Sequence, residues 1–123
     1  MWVYSQSSGD LTRDGEHIAT GYSGFGEGKN NPALQQVHDV GPIPRGHYTI
    51  GSPTCIDRVG PHGPFVLPLT PKDGTAMFGR AGMLIHGDSV QSPGSASHGC
   101  IILPRAIRED IAALHDLDLE VIA

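Results

Sequence analysis

The sequence has few basic residues and no long apolar run. Its 123 residues include 8 Lys and Arg against 13 Asp and Glu, which gives a formal net charge of −5. An acidic chain without basic clusters is poorly suited to nucleic acid or to an anionic membrane surface, and we expect neither as a partner. No stretch reaches the roughly 18 consecutive apolar residues of a membrane-spanning helix.

Secretion and redox signals are also scarce. Residues 1–6 contain neither the charged region nor the apolar stretch of a secretory signal peptide, so we expect synthesis in the cytoplasm without such a leader. Cysteine occurs twice, as Cys55 and Cys100. Two cysteines in a chain of this length are no disulfide framework, and we do not expect them to be bridged.

Glycine and proline are frequent, with 17 and 10 residues, and this composition predicts many turns between short strands. The length suits one domain over residues 1–123. Apolar spacing at Leu103, Ile107, Ile111 and Leu114 predicts one helix after Pro104. The fold class is therefore mainly β with one helix. Predicted strands cover residues 2–7, 10–13, 16–21, 46–50, 64–69, 83–86 and 117–122. A hairpin turn is predicted at residues 14–15, and residues 22–44 are predicted to be irregular. Because of Pro68, we expect the strand at 64–69 to lie at a sheet edge.

One glycine-broken stretch, residues 85–104, carries the chemistry in the letters IHGDSVQSPGSASHGCIILP. A thiol near its ordinary pKa is mostly protonated, so an enzyme that uses it places an imidazole nearby. Both His86 and His98 are candidates for the base of a Cys100 nucleophile. Gly99 leaves the backbone uncluttered, so amides near the sulfur could stabilise an oxyanion. These parts suit acyl transfer.

The same residues resemble a known family. His86-Gly87 followed by Ser97-His98-Gly99-Cys100-Ile101 resembles the active-site signature of YkuD-type L,D-transpeptidases. Residues 41–50, GPIPRGHYTI, are similar to that family's Pro-x-Gly-x-Tyr/Phe-x-Ile strand. Residues 4–9, 21–24 and 28–32 resemble the compact L,D-transpeptidase-like effectors of type VI secretion. The resemblance implies a compact β-sandwich-like catalytic domain with its helix after the cysteine.

The resemblance also implies roles for individual residues. Cys100 is the nucleophile, and His86 is the base, held by the Gly87 carbonyl or alternatively by Asp88. Backbone amides of Gly99 and Cys100 form the oxyanion hole, while His98 shapes the loop or tunes the thiol. Further candidate substrate contacts are Ser97, Tyr22, Ser23, Asn30 and Arg105, although Tyr22 and Ser23 suit a packing role equally well. Larger family members carry an arginine where this chain has Ile102, and Arg105 or Arg80 is a candidate replacement.

The function implied is removal of the terminal D-alanine from peptidoglycan tetrapeptide stems, or its exchange for a free D-amino acid. By resemblance to the effectors, the enzyme would act as an antibacterial toxin in the periplasm of target bacteria. A secretion apparatus would deliver it, and a cognate immunity protein would cover the cleft between residues 22–44 and Cys100. No cofactor is expected.

Two other classes of function remain open on the sequence. His62, His86, His98 and Cys100 include the usual ligands of zinc, although only His98 and Cys100 are close along the chain. The chain could also be a catalytically inactive wall-binding module that keeps the fold. The presence of both His86 and Cys100 argues against that alternative.

Overall fold

The computed structural model describes residues 1–56 and 62–123. In this part of the chain there are nine strands, one α-helix and two short 3-10 helices, at Gly26–Gly28 and Pro32–Leu34. The mainly β class with one helix is therefore confirmed. The strands are β1 (Trp2–Ser5), β2 (Asp10–Arg13), β3 (Glu16–Thr20), β4 (Tyr22–Ser23), β5 (Gly46–Ile50), β6 (Leu67–Pro71), β7 (Leu84–His86), β8 (Ile101–Ile102) and β9 (Asp118–Ile122), and the helix is α1 (Arg105–Leu114).

The strands follow one another in the order β3-β2-β1-β9-β5-β6-β7-β8-β4. Most neighbours are antiparallel, but β1 with β9 and β7 with β8 are parallel pairs. The hairpin predicted at residues 14–15 joins β2 to β3. Asp14 and Gly15 both have positive φ, at 50° and 85°, as the favoured two-residue hairpin turn requires.

The buried core lies on one side of the β7–β8 pair. Ile85 and Ile101 are both about 1% exposed or less and belong to this core, where Ile111 of α1 also packs. Burial of apolar side chains in this core helps to order these short strands, because none is long enough to be stable alone. The largest other side chains of the core are Trp2, Tyr4, Leu11, Ile43, Tyr48, Leu67, Leu103 and Leu119.

Two details differ from the sequence-based predictions. The strand predicted at residues 64–69 forms at Leu67–Pro71, and Pro68 is not at a sheet edge. It is tolerated inside because β6 pairs with β7 over Leu67 and Pro68 and with β5 only from Leu69 onward, so Pro68 stands where the pairing changes sides. The segment at 22–44 is irregular as predicted, but its first residues form β4.

No helix within residues 1–56 and 62–123 combines the length and apolar character that crossing a membrane requires.

Candidate active site

Two parallel strands bring the predicted base and nucleophile together. Ile85 pairs with Ile101, and His86 pairs with Ile102. Since Ile85 and Ile101 point into the core, His86 at the end of β7 turns to the opposite face. Cys100 immediately precedes β8, beside the start of β7. The fifteen-residue span from His86 to Cys100 in the sequence is thus closed into one local site.

His86 is fixed by a backbone bond. Its side chain is 3% exposed, and Nδ1 lies 2.9 Å from the carbonyl oxygen of Gly87. A carbonyl only accepts hydrogen bonds, so Nδ1 carries the proton and Nε2 keeps a lone pair in the neutral ring. Burial is the largest cause that lowers the pKa of His86 below its ordinary value. Electrostatic interactions with His62 and Arg108 also lower this pKa, whereas the hydrogen bond to Gly87 raises it. The ring is therefore a neutral base at pH 7.

The thiol of Cys100 is a protonated group in its resting state. Burial raises its pKa above the ordinary value, although a hydrogen bond from the Leu84 amide and the charge of Arg80 act in the opposite direction. The Sγ atom lies 3.9 Å from the Gly82 carbonyl oxygen. Within the described residues the contacts of Sγ are with these two backbone groups, and none is a hydrogen bond to the His86 ring. Catalytic contacts of free enzymes are commonly long and shorten when substrate binds.

His98 belongs to the loop side of the site. Its Nδ1 lies 3.0 Å from the carbonyl oxygen of Asp39, and its ring stacks on Phe25 with centroids 5.0 Å apart. The His98 carbonyl accepts a hydrogen bond from Arg80 at 3.2 Å. Its contacts therefore run to residues 22–44, as the loop-shaping alternative expects, while His86 is the imidazole on the strand beside Cys100.

Arg80 is committed to the backbone. Its guanidinium donates to the carbonyls of Gln35 at 2.6 Å, Pro42 at 2.7 Å and Gly41 at 2.9 Å, besides that of His98. Buried arginine is commonly retained where several acceptors satisfy it. Arg80 thus connects residues 35–42 to the loop that carries Cys100. Since these bonds occupy its guanidinium, the expectation that Arg80 binds substrate in place of an arginine at position 102 is corrected.

Two serines expected to contact substrate are instead interior. Ser23 and Ser97 are both 0% exposed. Ser23 Oγ donates to the Gly99 carbonyl at 2.9 Å and accepts from the Ile43 amide at 2.8 Å. Complete burial excludes direct contact with a substrate, so the expectation is corrected for this pair. They hold the cysteine loop against residues 22–44.

The Gly99 amide, expected to be a donor of the oxyanion hole, is already hydrogen-bonded within the cysteine loop. The amide of Gly99 donates to Ser97 Oγ at 3.2 Å and is already engaged. Gly99 has φ of 136°, where a side chain is strained, and a Cβ there would fall 2.4 Å from Nη2 of Arg80. Asn30 is likewise supportive, since its Oδ1 accepts from the Ser23 amide at 3.2 Å. Gly99 is thus a residue of close packing rather than a free donor.

A cleft of about 1090 Å³ opens on the His86 side of the site. Tyr22 forms part of its wall, where the phenol donates to Asp88 Oδ1 at 2.5 Å and accepts from the Ala96 amide at 2.9 Å. Burial and the Asp88 bond raise the pKa of Tyr22 to about 12, so the phenol keeps its proton. Asp88 therefore orders the 88–96 loop, while His86 is held by Gly87. The lining of the cleft also includes Gly87, Ile102, Arg105 and Arg108.

Two arginines of α1 reach this cleft. Arg105, a predicted substrate contact, lines it with a half-exposed side chain. Arg108 lines it from a nearly buried position, with 4% of the residue exposed. Sequence reasoning missed Arg108, because it follows the apolar position Ile107 directly and nothing in the helical spacing distinguishes it from a surface arginine.

The zinc alternative gains no support from the geometry. Among residues 1–56 and 62–123 no group of three or more histidine, cysteine or acidic side chains is placed to hold a metal ion. The His62 ring contacts the His86 ring with centroids 4.9 Å apart, while His98 turns to the Asp39 carbonyl. Cys55 and Cys100 are both free thiols.

The fold is similar to that of solved L,D-transpeptidases. L,D-transpeptidase 1 of Mycobacterium tuberculosis aligns with a TM-score of 0.53 and 16% identity over 99% of this chain and 60% of that one. An L,D-transpeptidase from Mycobacterium smegmatis aligns with a TM-score of 0.51 and 20% identity over 99% of this chain and 58% of that one. The chain thus spans about three fifths of their length. At these identities the likeness shows the fold, and the L,D-transpeptidase-like architecture is confirmed.

Sequence comparison adds the family. No curated protein sequence matches the chain. Residues 17–118 match the family model described as the Tlde1 domain, which covers most of the chain and includes His86 and Cys100. The chain belongs to the Tlde1 domain family, the L,D-transpeptidase effector family of type VI secretion.

Proposed function

We propose that this protein is a cysteine enzyme that removes the terminal D-alanine from tetrapeptide stems of peptidoglycan and also exchanges it for free D-amino acids. The observation that carries the proposal is the pairing of β7 with β8, in which His86 lies opposite Ile102, two residues beyond Cys100, while the Gly87 carbonyl accepts a hydrogen bond from Nδ1 of His86. A neutral imidazole with a free Nε2 beside a protonated thiol is the arrangement of a base and its nucleophile.

The first half of the reaction is acylation. Nε2 of His86 takes the proton of Cys100 as Sγ attacks the carbonyl carbon of the diaminopimelate residue, the third of the stem. The C–N bond to D-alanine then breaks, and His86 returns the proton to the departing amine. A thioester between Cys100 and the tripeptide stem results, and the D-alanine leaves with its amine complete.

The second half decides the outcome. If water attacks the thioester, His86 takes a proton from the water and the thiol is regenerated with a tripeptide stem. If the amine of a D-amino acid attacks, the product is a new tetrapeptide. Both routes deplete the tetrapeptide stems that end in D-alanine, the donors from which cross-links are made. This fits an antibacterial effector that is delivered into the periplasm of a target cell and neutralised in its producer by an immunity protein.

The test is incubation of the protein with purified tetrapeptide fragments of peptidoglycan, with and without excess D-methionine, followed by mass spectrometry. We expect tripeptide product, and in the second case a stem that ends in D-methionine. The Cys100→Ala variant should yield neither, while Cys55→Ala serves as the matched control and should retain both. Unchanged stems with the wild-type protein would reject the enzyme and favour a wall-binding module.

A further inference from the structure

Arg108 is a buried cation whose hydrogen bonding is incomplete. Its Nε donates to the Leu103 carbonyl at 3.1 Å, and Nη1 donates to the carbonyls of Pro64 at 2.7 Å and Phe65 at 2.6 Å. A guanidinium has five N–H groups, and these bonds use the three on Nε and Nη1. Within residues 1–56 and 62–123 the two on Nη2 have no acceptor and no carboxylate forms an ion pair with Arg108.

The unused end of the guanidinium lies against Gly87, the residue whose carbonyl holds His86. A Cβ built on Gly87 would lie 2.8 Å from Nη2, so this nitrogen lies against the backbone of the residue that holds His86. Both Gly87 and Arg108 line the cleft of about 1090 Å³. Glycine at position 87 is what allows the guanidinium to approach. The positive charge therefore ends inside the cleft and next to the base.

Nη2 is not among the side-chain atoms that are both fully buried and unpaired, so its N–H groups are open to the cleft. The guanidinium keeps its charge there, because arginine does not lose its proton in proteins. An anion with paired oxygen acceptors that enters the cleft would satisfy both N–H groups of Nη2. Tetrapeptide stems carry such groups as free carboxylates on the terminal D-alanine, on the diaminopimelate side chain and on the D-glutamate. Ile102, on the cleft wall, offers no charge to bind them.

We propose that Nη2 of Arg108 binds a free carboxylate of the stem peptide and thereby positions the scissile carbonyl between Cys100 and His86. This inference rests on the proposed function, because that function supplies the substrate. Arg108 is a substrate-binding residue in this account. The neighbouring Arg105, half exposed and 3.8 Å from Glu109, keeps a counter-ion and does not face the same imbalance.

The test compares the free tetrapeptide with three analogues, each of which has one of the three carboxylates converted to an amide. Dissociation constants are measured by calorimetry in the Cys100→Ala background, and kcat/KM is measured in the active protein. We expect amidation of one carboxylate to weaken binding about tenfold or more in proteins with Arg108. In Arg108→Lys the same amidation should cost less than about twofold, because the partner of that carboxylate is already impaired. The sensitive analogue identifies the carboxylate.

Gly87→Ala is the second variant, since it keeps Arg108 with its three carbonyl contacts and crowds Nη2 with a methyl group. It should show the same selective loss even if Arg108→Lys folds poorly, which thermal melting will reveal. Arg13→Lys is the matched control. Arg13 ends β2, whereas the first residue of β2, Asp10, pairs with the cleft residue Thr20 of β3.

Equal amidation costs in the wild-type protein and in both variants, or no binding of any analogue to the Cys100→Ala protein, would overturn the proposal for Arg108. Failure of the proposed function is a separate result: it would be binding with the selective Arg108 dependence but no conversion of any stem by the active protein.

Discussion

The hydroxyl of Ser97 donates a hydrogen bond of 2.5 Å to the carbonyl oxygen of Cys100, the residue proposed as nucleophile. The same Oγ accepts from the Gly24 amide at 2.8 Å and from the Gly99 amide at 3.2 Å. One buried side chain therefore satisfies three backbone groups and joins the cysteine loop to residues 22–44. The position of the thiol depends on this connection rather than on the thiol's own contacts.

Ser97→Ala should therefore impair both stability and catalysis. It leaves buried backbone groups without a partner, and we expect the free energy of unfolding to fall by about 1–3 kcal/mol. Displacement of the Cys100 backbone should lower kcat roughly 10- to 100-fold with a smaller change in KM. Urea unfolding and steady-state kinetics measure the two effects. The exposed Ser92→Ala in the same loop is the control, and equal behaviour of the two variants would contradict this role of Ser97.

Tyr22→Phe should loosen the 88–96 loop that forms a wall of the cleft. The phenol bridges Asp88 and the Ala96 amide, and Asp88 in turn accepts hydrogen bonds from the amides of Ser89 and Gly94. Loss of the bridge should speed hydrogen exchange of the Ala96 amide about tenfold at pH 7, since one hydrogen bond of about 1 kcal/mol or more is removed. Unchanged exchange would show that Asp88 holds the loop without the phenol.

Tyr4→Phe offers the contrasting case. Tyr4 is completely buried, and among the described residues its hydroxyl has no hydrogen-bond partner. Removing a buried polar atom that is unsatisfied recovers its desolvation cost, so we expect the free energy of unfolding to stay the same or rise by up to about 1 kcal/mol. Chemical denaturation measures it. A loss above about 1 kcal/mol would mean that the hydroxyl has an acceptor outside the described residues.

The pH dependence should distinguish a neutral pair from a preformed ion pair. Burial holds the pKa of His86 below 6.5 and the pKa of Cys100 above 9.0. The neutral imidazole is the base, so kcat/KM should fall as pH drops through the lowered pKa of His86 and should not decline between pH 7 and about 9. A thiolate–imidazolium pair would lose activity as the imidazolium deprotonates. A declining limb in that range, or an acid limb above 6.5, would contradict the neutral pair.

Much of the fold followed from local patterns. The Asp14-Gly15 turn, the apolar spacing of α1 and the short β-rich segments are local signals, and the structure has elements at each of them. The two residues that begin the irregular segment, Tyr22 and Ser23, form β4 only because β8 is there to pair with them. Pairing between distant segments leaves no local mark, which is why this strand was missed.

The candidate site likewise contains residues that the sequence pattern identifies and residues whose roles depend on tertiary packing. His86 and Cys100 stand in a recognisable order in the sequence, but the roles of Ser23 and Ser97 depend on burial, which their neighbours in the sequence do not reveal. Arg108 is the clearest case, because its side chain reaches the cleft only through the packing of α1 beside β7. The neighbouring Ile107 belongs to the apolar spacing that predicts the helix, but this spacing does not indicate where the Arg108 guanidinium lies.

The most direct test of the central claim is detection of the acyl-enzyme. The protein is mixed with tetrapeptide fragments, quenched in acid within one turnover, digested and examined by mass spectrometry. We predict that the peptide containing Cys100 gains the mass of the fragment minus the mass of one free D-alanine, while the peptide containing Cys55 is unmodified. Modification of neither cysteine, with tripeptide nevertheless formed, would contradict the account, because the stem would then be cleaved without Cys100 as nucleophile.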